Sequence, residues 1–406
     1  MSRAFRAISK LGGFATTVAI NAAVSLATIP AVISETGEQG WASIAVGQSL
    51  GAVLSIFTLL GWALTGPIDV VRAKASEVGE VYATSLYVRA IALVVMTPVA
   101  FTATSLMGTS APVATGLTAV AMLLIGTGPT WFYVGESRPM RLLVFDTLPR
   151  ALAILVATGL LLSGSSIVTY SVVVACGGIA SVAFASMDIL SRHRPSGFRP
   201  LGPSGVARVL HRQRHGIGTA VLSTTYLSAP VLLVQLISPT VVPVFALADK
   251  LKQQALTAYR PIGQVIQGWT PRGEEARLIE RVTSVGKAAI AMAFVGASAL
   301  AVAIGPISGA LGGGQVDAGG WIAIPIGIAF GAGILSTTTG LACLVPLGLQ
   351  RHVTMSAAIG TGVMLASVVP LTLAAGAVGA ATAVAGGQCG VATYQTMVLW
   401  RRLRAR

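Results

Sequence analysis

Charge is what this sequence has least of. Asp, Glu, Lys and Arg together make up 10% of its 406 residues, against about 25% in an ordinary soluble domain. With hydrophobic residues at 54% and a mean hydropathy of +0.80, that shortage excludes a water-soluble globular protein. Acids are scarcer still, 13 against 27 basic residues. Cysteine occurs three times, at Cys176, Cys343 and Cys389, each inside an apolar run, so these are small core residues and not a disulfide framework or a metal site. Of the four histidines, His211 and His215 have i, i+4 spacing without a third ligand nearby in sequence, which excludes a recognisable metal motif. There is no G-x-x-x-x-G-K-[ST] phosphate loop, which argues against ATP hydrolysis.

What is present is a succession of apolar runs, each near the roughly 20 residues a helix needs to cross a bilayer. They are continuous and rich in Ala, Gly, Val and Leu, where a membrane β-barrel would show alternating segments of about ten residues. The expected class is therefore an all-α integral membrane protein. Twelve spans are expected, at 11–33, 41–66, 82–106, 112–134, 147–163, 167–190, 216–238, 241–266, 284–308, 320–342, 352–374 and 378–400.

Basic residues test that count, because Lys and Arg concentrate in cytoplasmic segments. With the N-terminus inside, all 27 fall on the inner side. They lie in the tail (Arg3, Arg6, Lys10), around the second and third spans (Arg72, Lys74, Arg89) and around the fifth (Arg138, Arg141, Arg150). The long central loop holds Arg192, Arg194, Arg199, Arg208, Arg212 and Arg214. The eighth span and its exit carry Lys250, Lys252, Arg260, Arg272, Arg277, Arg281 and Lys287, and Arg351, Arg401, Arg402, Arg404 and Arg406 complete the set. The outer loops carry Glu35, Glu38 and Asp317 and have no His, Lys or Arg. A loop-borne acid–base site for a membrane glycosyltransferase is therefore missing, and no enzyme is expected. Both termini are expected in the cytoplasm.

The eighth expected span, within "FALADKLKQQALTAYRPIGQVIQGW" (245–269), breaks the apolar rule. If it lay on the membrane surface, the later basic segments, including "RRLRAR", would face outward, so it is expected to cross. A charge in a span costs about 2.5 to 3.5 kcal/mol on insertion scales and is tolerated facing a bundle interior or a wet cavity. Asp249, Lys252, Gln253, Leu256, Arg260, Gln264 and Gln267 recur every three or four residues along one helical face, flanked by Lys250 and Thr257. Asp249 and Lys252 can neutralise each other at i, i+3, and Lys250 and Arg260 then remain. Arg260 precedes Pro261, where a kink is expected. Asn21, Gln48, Thr224, Thr225, Tyr226, Gln235 and Arg89 are further polar residues at span depth. The alternatives are interhelical hydrogen bonding for the neutral ones and snorkelling for Arg89.

The charged segment "VFALADKLKQQALTAYRPIGQVIQGWTPR" resembles the corresponding segment of polysaccharide exporters in the MOP flippase superfamily, which also holds the MATE antiporters and the lipid II flippases. The "GEQGW" loop, the "GW" at 61–62 and the "GPIDVVRA" that follows are similar to that family too. The resemblance implies two six-helix bundles around a central cavity, here 1–200 with the basic linker and 201–406. It implies a flippase moving a lipid-linked (prenyl-pyrophosphate) oligosaccharide to the outer leaflet for cell-surface polysaccharide synthesis. The cavity residues would be Asp249, Lys250, Lys252, Gln253 and Arg260, with Arg89, Asn21, Gln48 and Gln235 as further candidates. The chain lacks the two extra spans expected of lipid II flippases.

The residues themselves favour an anionic cargo, since Lys and Arg make charge-assisted contacts to phosphate. The rivals are a MATE-like antiporter, which would need a membrane acid, and a major-facilitator transporter, which "GPIDVVRAK" loosely resembles. Expected partners are the lipid-linked sugar, membrane lipids and polysaccharide polymerases or glycosyltransferases, with no nucleic acid. No cofactor is expected beyond a coupling ion, H+ or Na+. The expected location of this monomer is a bacterial inner membrane.

Overall fold

A computed structural model describes residues 3–195, 197–270 and 277–404 of the protein. The side chains of 3–11, 215, 219, 222, 223, 225 and 226 lie outside the description. Thr225, Tyr226, His215, Arg272, Arg406 and the N-terminal Arg3, Arg6 and Lys10 fall among these positions or beyond the described residues.

The described residues are helical, without strands. Eight helices or helix pairs among them are long and apolar enough to cross a membrane, and the chain is a multi-pass membrane protein whose helices are compatible with twelve spans. They fall into two compact units, 1–229 and 230–406.

In the first unit, α1 (Arg3–Ala27) leads into α2 (Ile29–Leu59). Gly37, at φ +68°, interrupts α2 inside the loop expected between the first two spans. Leu60 and Gly61, both left-handed, turn the chain into α3 (Trp62–Arg72). Then follow α4 (Val78–Leu106), α5 (Pro112–Thr127), the short α6 (Thr130–Gly135) and α7 (Pro139–Leu142), a π-helical turn at Leu143–Thr147, α8 (Leu148–Leu162) and α9 (Ile167–Arg192). Proline opens α5 and α7, where a missing N–H costs nothing. Ser166 caps α9 by accepting the Thr169 N–H at 3.1 Å. Helix α10 (Pro203–Ile237) carries the chain from one unit to the other.

The second unit continues with α11 (Val242–Trp269), α12 (Leu278–Gly312), α13 (Ala323–Thr338), a π-helical turn at Thr339–Leu344 and α14 (Gln350–Arg404). Helix α14 is a hairpin, not one rod. Ala375 and Gly376 leave helical geometry, and a Cβ on Gly379 would stand 1.7 Å from the Leu371 carbonyl oxygen. Eight residues along a straight helix would separate them by about 12 Å. The pairing continues down the arms, where Gln395 donates to Ser356 Oγ at 2.8 Å. The turn falls in the gap expected between the last two spans.

Small residues set the helix packing, as they must where lipid removes the hydrophobic incentive for helices to associate. In the first unit Gly51 of α2 lies where a Cβ would be 2.4 Å from the Ala119 carbonyl of α5. In the second, Gly331 of α13 lies where a Cβ would be 2.5 Å from the Ala293 carbonyl of α12. Each glycine has a second one four residues before it, Gly47 and Gly327, seated equally close. Gly51→Ala and Gly331→Ala are each expected to cost about 1 to 3 kcal/mol through forced helix separation. Both should lower the thermal midpoint in detergent, whereas Gly362→Ala, with nothing within 4 Å, should keep or raise it.

Candidate functional site

The charged stretch of the sequence lies on α11, and its first half is enclosed in the second unit. Asp249 is 2% exposed and Lys252 3%. Lys252 Nζ donates to Asp249 Oδ1 at 2.5 Å, and Gln253 Nε2 donates to Asp249 Oδ2 at 2.6 Å. One carboxylate thus holds both neighbours one turn along the helix, as i, i+3 and i, i+4 spacing allows. Lys250 lies on the flank, half-buried.

Toward the other end the helix opens out. Arg260 is exposed, with no hydrogen bond or ion pair among the described residues. Pro261 and Gln264 are exposed and Gln267 half-buried. The helix continues through Pro261 to Trp269. Tyr259, buried beside the exposed Arg260, bonds Thr338 of α13 at 2.6 Å between hydroxyls and anchors α11 there. Gln235 is buried in α10.

The other candidates lie in the first unit. Asn21 is exposed on α1, Gln48 half-buried on α2, and Thr224 half-buried on α10. Arg89 has a different place from the rest. It is 0% exposed and reaches inward, so it does not snorkel. Its Nη1 donates to the carbonyls of Gly126 (3.3 Å) and Gly128 (2.9 Å), and its Nε to the Ser85 carbonyl (3.3 Å). Trp62 and Trp131 approach the guanidinium, with centroids 5.9 and 5.6 Å away. Pro129 stops α5 and leaves its last carbonyls without helical donors. A cation at that end satisfies them and faces the negative end of the helix dipole. Arg150 assists by donating to the Leu124 carbonyl at 3.3 Å. Arg89, expected among cavity residues, therefore holds the break after α5.

The acids near the inner ends of spans are also occupied. Asp146 accepts from Arg150 (3.1 Å) and from Ser181 Oγ (2.7 Å). Asp188 accepts from Arg141, from Arg192 (2.9 Å) and from Tyr133 (3.0 Å). Asp69 pairs with Arg212 at 2.9 Å. Glu136, in the turn after α6, accepts from Arg192 at 2.8 Å and contacts His193 Nε2 at 2.8 Å. Burial alone would raise its carboxyl, but these bonds and the charges of Arg192 and Arg138 outweigh that and hold it below the ordinary carboxylate range. Asp188 and Arg192 of this cluster share α9 at i, i+4 spacing, but Glu136 and Arg141 come from other elements, so the cluster as a whole has no signature in the sequence. No group of three metal-binding side chains occurs among the described residues.

Breaking a buried pair leaves an uncompensated charge and costs about 3 to 5 kcal/mol. Asp249→Asn and Lys252→Met are each expected to destabilise the protein by that order in detergent denaturation, and the double variant to recover most of the loss. Single variants as stable as the wild type would show that the pair is not enclosed.

No family model and no curated protein matches the sequence. Solved structures do match it along nearly its whole length. They include the lipid II flippase MurJ in an inward closed conformation, at 11% identity over 95% of this chain and 87% of that one, with a TM-score of 0.65. An inward-facing multidrug resistance MATE family transporter of the MOP superfamily matches at 12% identity over 95% and 94%, with a TM-score of 0.64. The eukaryotic MATE transporter AtDTX14 matches at 13% identity over 99% of both chains, with a TM-score of 0.60. The chain has the all-helical fold of the MATE transporters and MurJ.

Proposed function

We propose that this chain is a secondary transporter of the flippase type, moving a prenyl-pyrophosphate-linked oligosaccharide from the cytoplasmic to the outer leaflet for cell-surface polysaccharide synthesis. The observation that carries the reading is the charge on α11. Within residues 249–260 stand one acid and three cations, and the acid is held by Lys252 and Gln253. The helix therefore keeps a net positive charge with Arg260 at its exposed end. Pyrophosphate suits such a surface, because guanidinium and ammonium groups bind phosphate oxygens strongly once water is partly removed.

The same fold carries multidrug MATE transporters, so export of a small cationic drug or metabolite is the second reading. It would require a membrane acid for a coupling ion. Asp249 is that acid, yet its carboxylate is already engaged by an ammonium group 2.5 Å away, which disfavours binding of a second cation. In the favoured reading the protein works as a monomer in a bacterial inner membrane, with both termini cytoplasmic. It supplies substrate to a polysaccharide polymerase or glycosyltransferase on the far side. Membrane potential or an H+ or Na+ gradient drives alternating access.

Mass spectrometry of lipid-linked oligosaccharides in cells with and without the protein tests this. A prenyl-pyrophosphate oligosaccharide should accumulate on the cytoplasmic leaflet while a surface polymer disappears, and Arg260→Ala should reproduce the defect at normal protein levels. Unchanged glycans in the deletion strain would transfer the assignment to the antiporter reading.

A further inference from the structure

The second unit carries an apolar groove on the surface of α12, α13 and the final arm of α14. A cavity of about 620 Å³ is lined by Ile290, Phe294, Ala297, Ile328, Cys389 and Met397 among others. A second, of about 320 Å³, shares Ile290, Leu335, Thr396 and Trp400 with the first and so continues it. Its far end holds Lys287 and Arg404. Ile290, Phe294, Ile328, Met397 and Trp400 are all exposed, Phe294 by 73%. These residues lie within helices long and apolar enough to cross a membrane, where an exposed apolar surface suits contact with lipid.

Two features distinguish this groove from ordinary lipid-facing surface. Lys287 and Arg404 come from different helices, α12 and α14, yet converge on one cavity. Neither has an ion-pair partner among the described residues, and Arg404 is steadied over the Trp400 ring at 5.1 Å. Like charges brought together without an acid favour an anion between them. The length also fits. From Lys287 to Ala297 the groove follows α12 for about 15 Å, half of a hydrocarbon core about 30 Å thick. Trp400 stands next to the charged end, where an interfacial aromatic belongs.

We propose that this groove is a binding site for one anionic phospholipid, its phosphate held by Lys287 and Arg404 and an acyl chain laid along Ile290, Phe294 and Ala297. A groove one leaflet deep suits the chain of a bilayer phospholipid, which is why the occupant is a phospholipid and not a longer prenyl carrier. The proposal does not depend on the transported cargo. By the distribution of basic residues, the bound lipid comes from the cytoplasmic leaflet.

The test is native mass spectrometry of the full chain released from bilayers containing equal phosphatidylglycerol and phosphatidylcholine, with thermal midpoints measured in nanodiscs of each lipid. The wild type should retain one phosphatidylglycerol through delipidation and melt higher in that lipid. Lys287→Ala/Arg404→Ala should lower retention at least tenfold and remove the shift. Ile290→Trp, which adds bulk at an exposed residue lining both cavities and keeps both charges, should also lose the lipid, while Arg351→Ala, an exposed basic residue outside the groove, should behave as wild type. Equal retention of both lipids by the wild type would overturn the proposal, as would a loss in Arg351→Ala as large as in the double variant. Displacement of phosphatidylglycerol by substoichiometric prenyl phosphate would also overturn it, and would assign the groove to the carrier lipid.

Discussion

The absence of water at membrane depth is the constraint behind every feature of this chain. A backbone carbonyl, a guanidinium or a carboxylate placed there must find its partner within the protein. Arg89 meets this demand through Nε and Nη1, while its Nη2 has no hydrogen-bond partner among the described residues. Pro129 ends α5 and orphans carbonyls at Gly126 and Gly128, and a cation from α4 bonds both while two tryptophans shield it. Neither the break nor the buried charge would be tolerable alone. Asp249 and Lys252 obey the same rule within one helix, and Gln253 takes the remaining carboxylate oxygen. The glycine seams of α2 with α5 and of α12 with α13 answer a related demand, since close backbone approach replaces the hydrophobic drive that lipid cannot provide.

By that rule α11 is unusual for what it leaves open. Its buried half contains a satisfied pair, and its other half exposes Arg260 and Gln264 beside Ile262 and Val265. A helix required only for packing would not keep an unanswered guanidinium on a face that also carries glutamines. The first unit, by contrast, holds Asp146, Asp188, Glu136 and Asp69 each against arginine. These paired acids hold the fold, whereas Arg260 is, on the proposed function, kept available for an anionic cargo.

The helical class was legible because it follows from local properties, but the expected spans 41–66 and 112–134 are broken, at Leu60–Gly61 and after Thr127. Apolar run length gives spans, and turns at Gly37 and Gly376 coincide with gaps between runs. The Asp249–Lys252 pair was legible for the same reason, lying at i, i+3 on one helix. Arg89 was not. Its partners at the break after α5 are main-chain carbonyls 37 and 39 residues away, and a carbonyl leaves no mark in a sequence. The only local clue was Pro129, whose missing N–H predicts orphan acceptors before it. The Asp188–Arg192 pair lies at i, i+4 on α9, but the contact that joins Glu136 to it spans 56 residues and was hidden because only tertiary contact makes it. The paired cavities ending at Lys287 and Arg404 required the hairpin of α14 to bring two distant cations together.

The central claim is that the cationic face of α11 serves an anionic, lipid-linked cargo. Reconstituted proteoliposomes test it most directly, by following transbilayer movement of a prenyl-pyrophosphate oligosaccharide from the natural host under an imposed membrane potential. Rapid movement is predicted with the wild type, and loss of most of it with Arg260→Ala in equally folded protein. A wild type that leaves this lipid in place while exchanging a cationic drug for protons or sodium would contradict the claim.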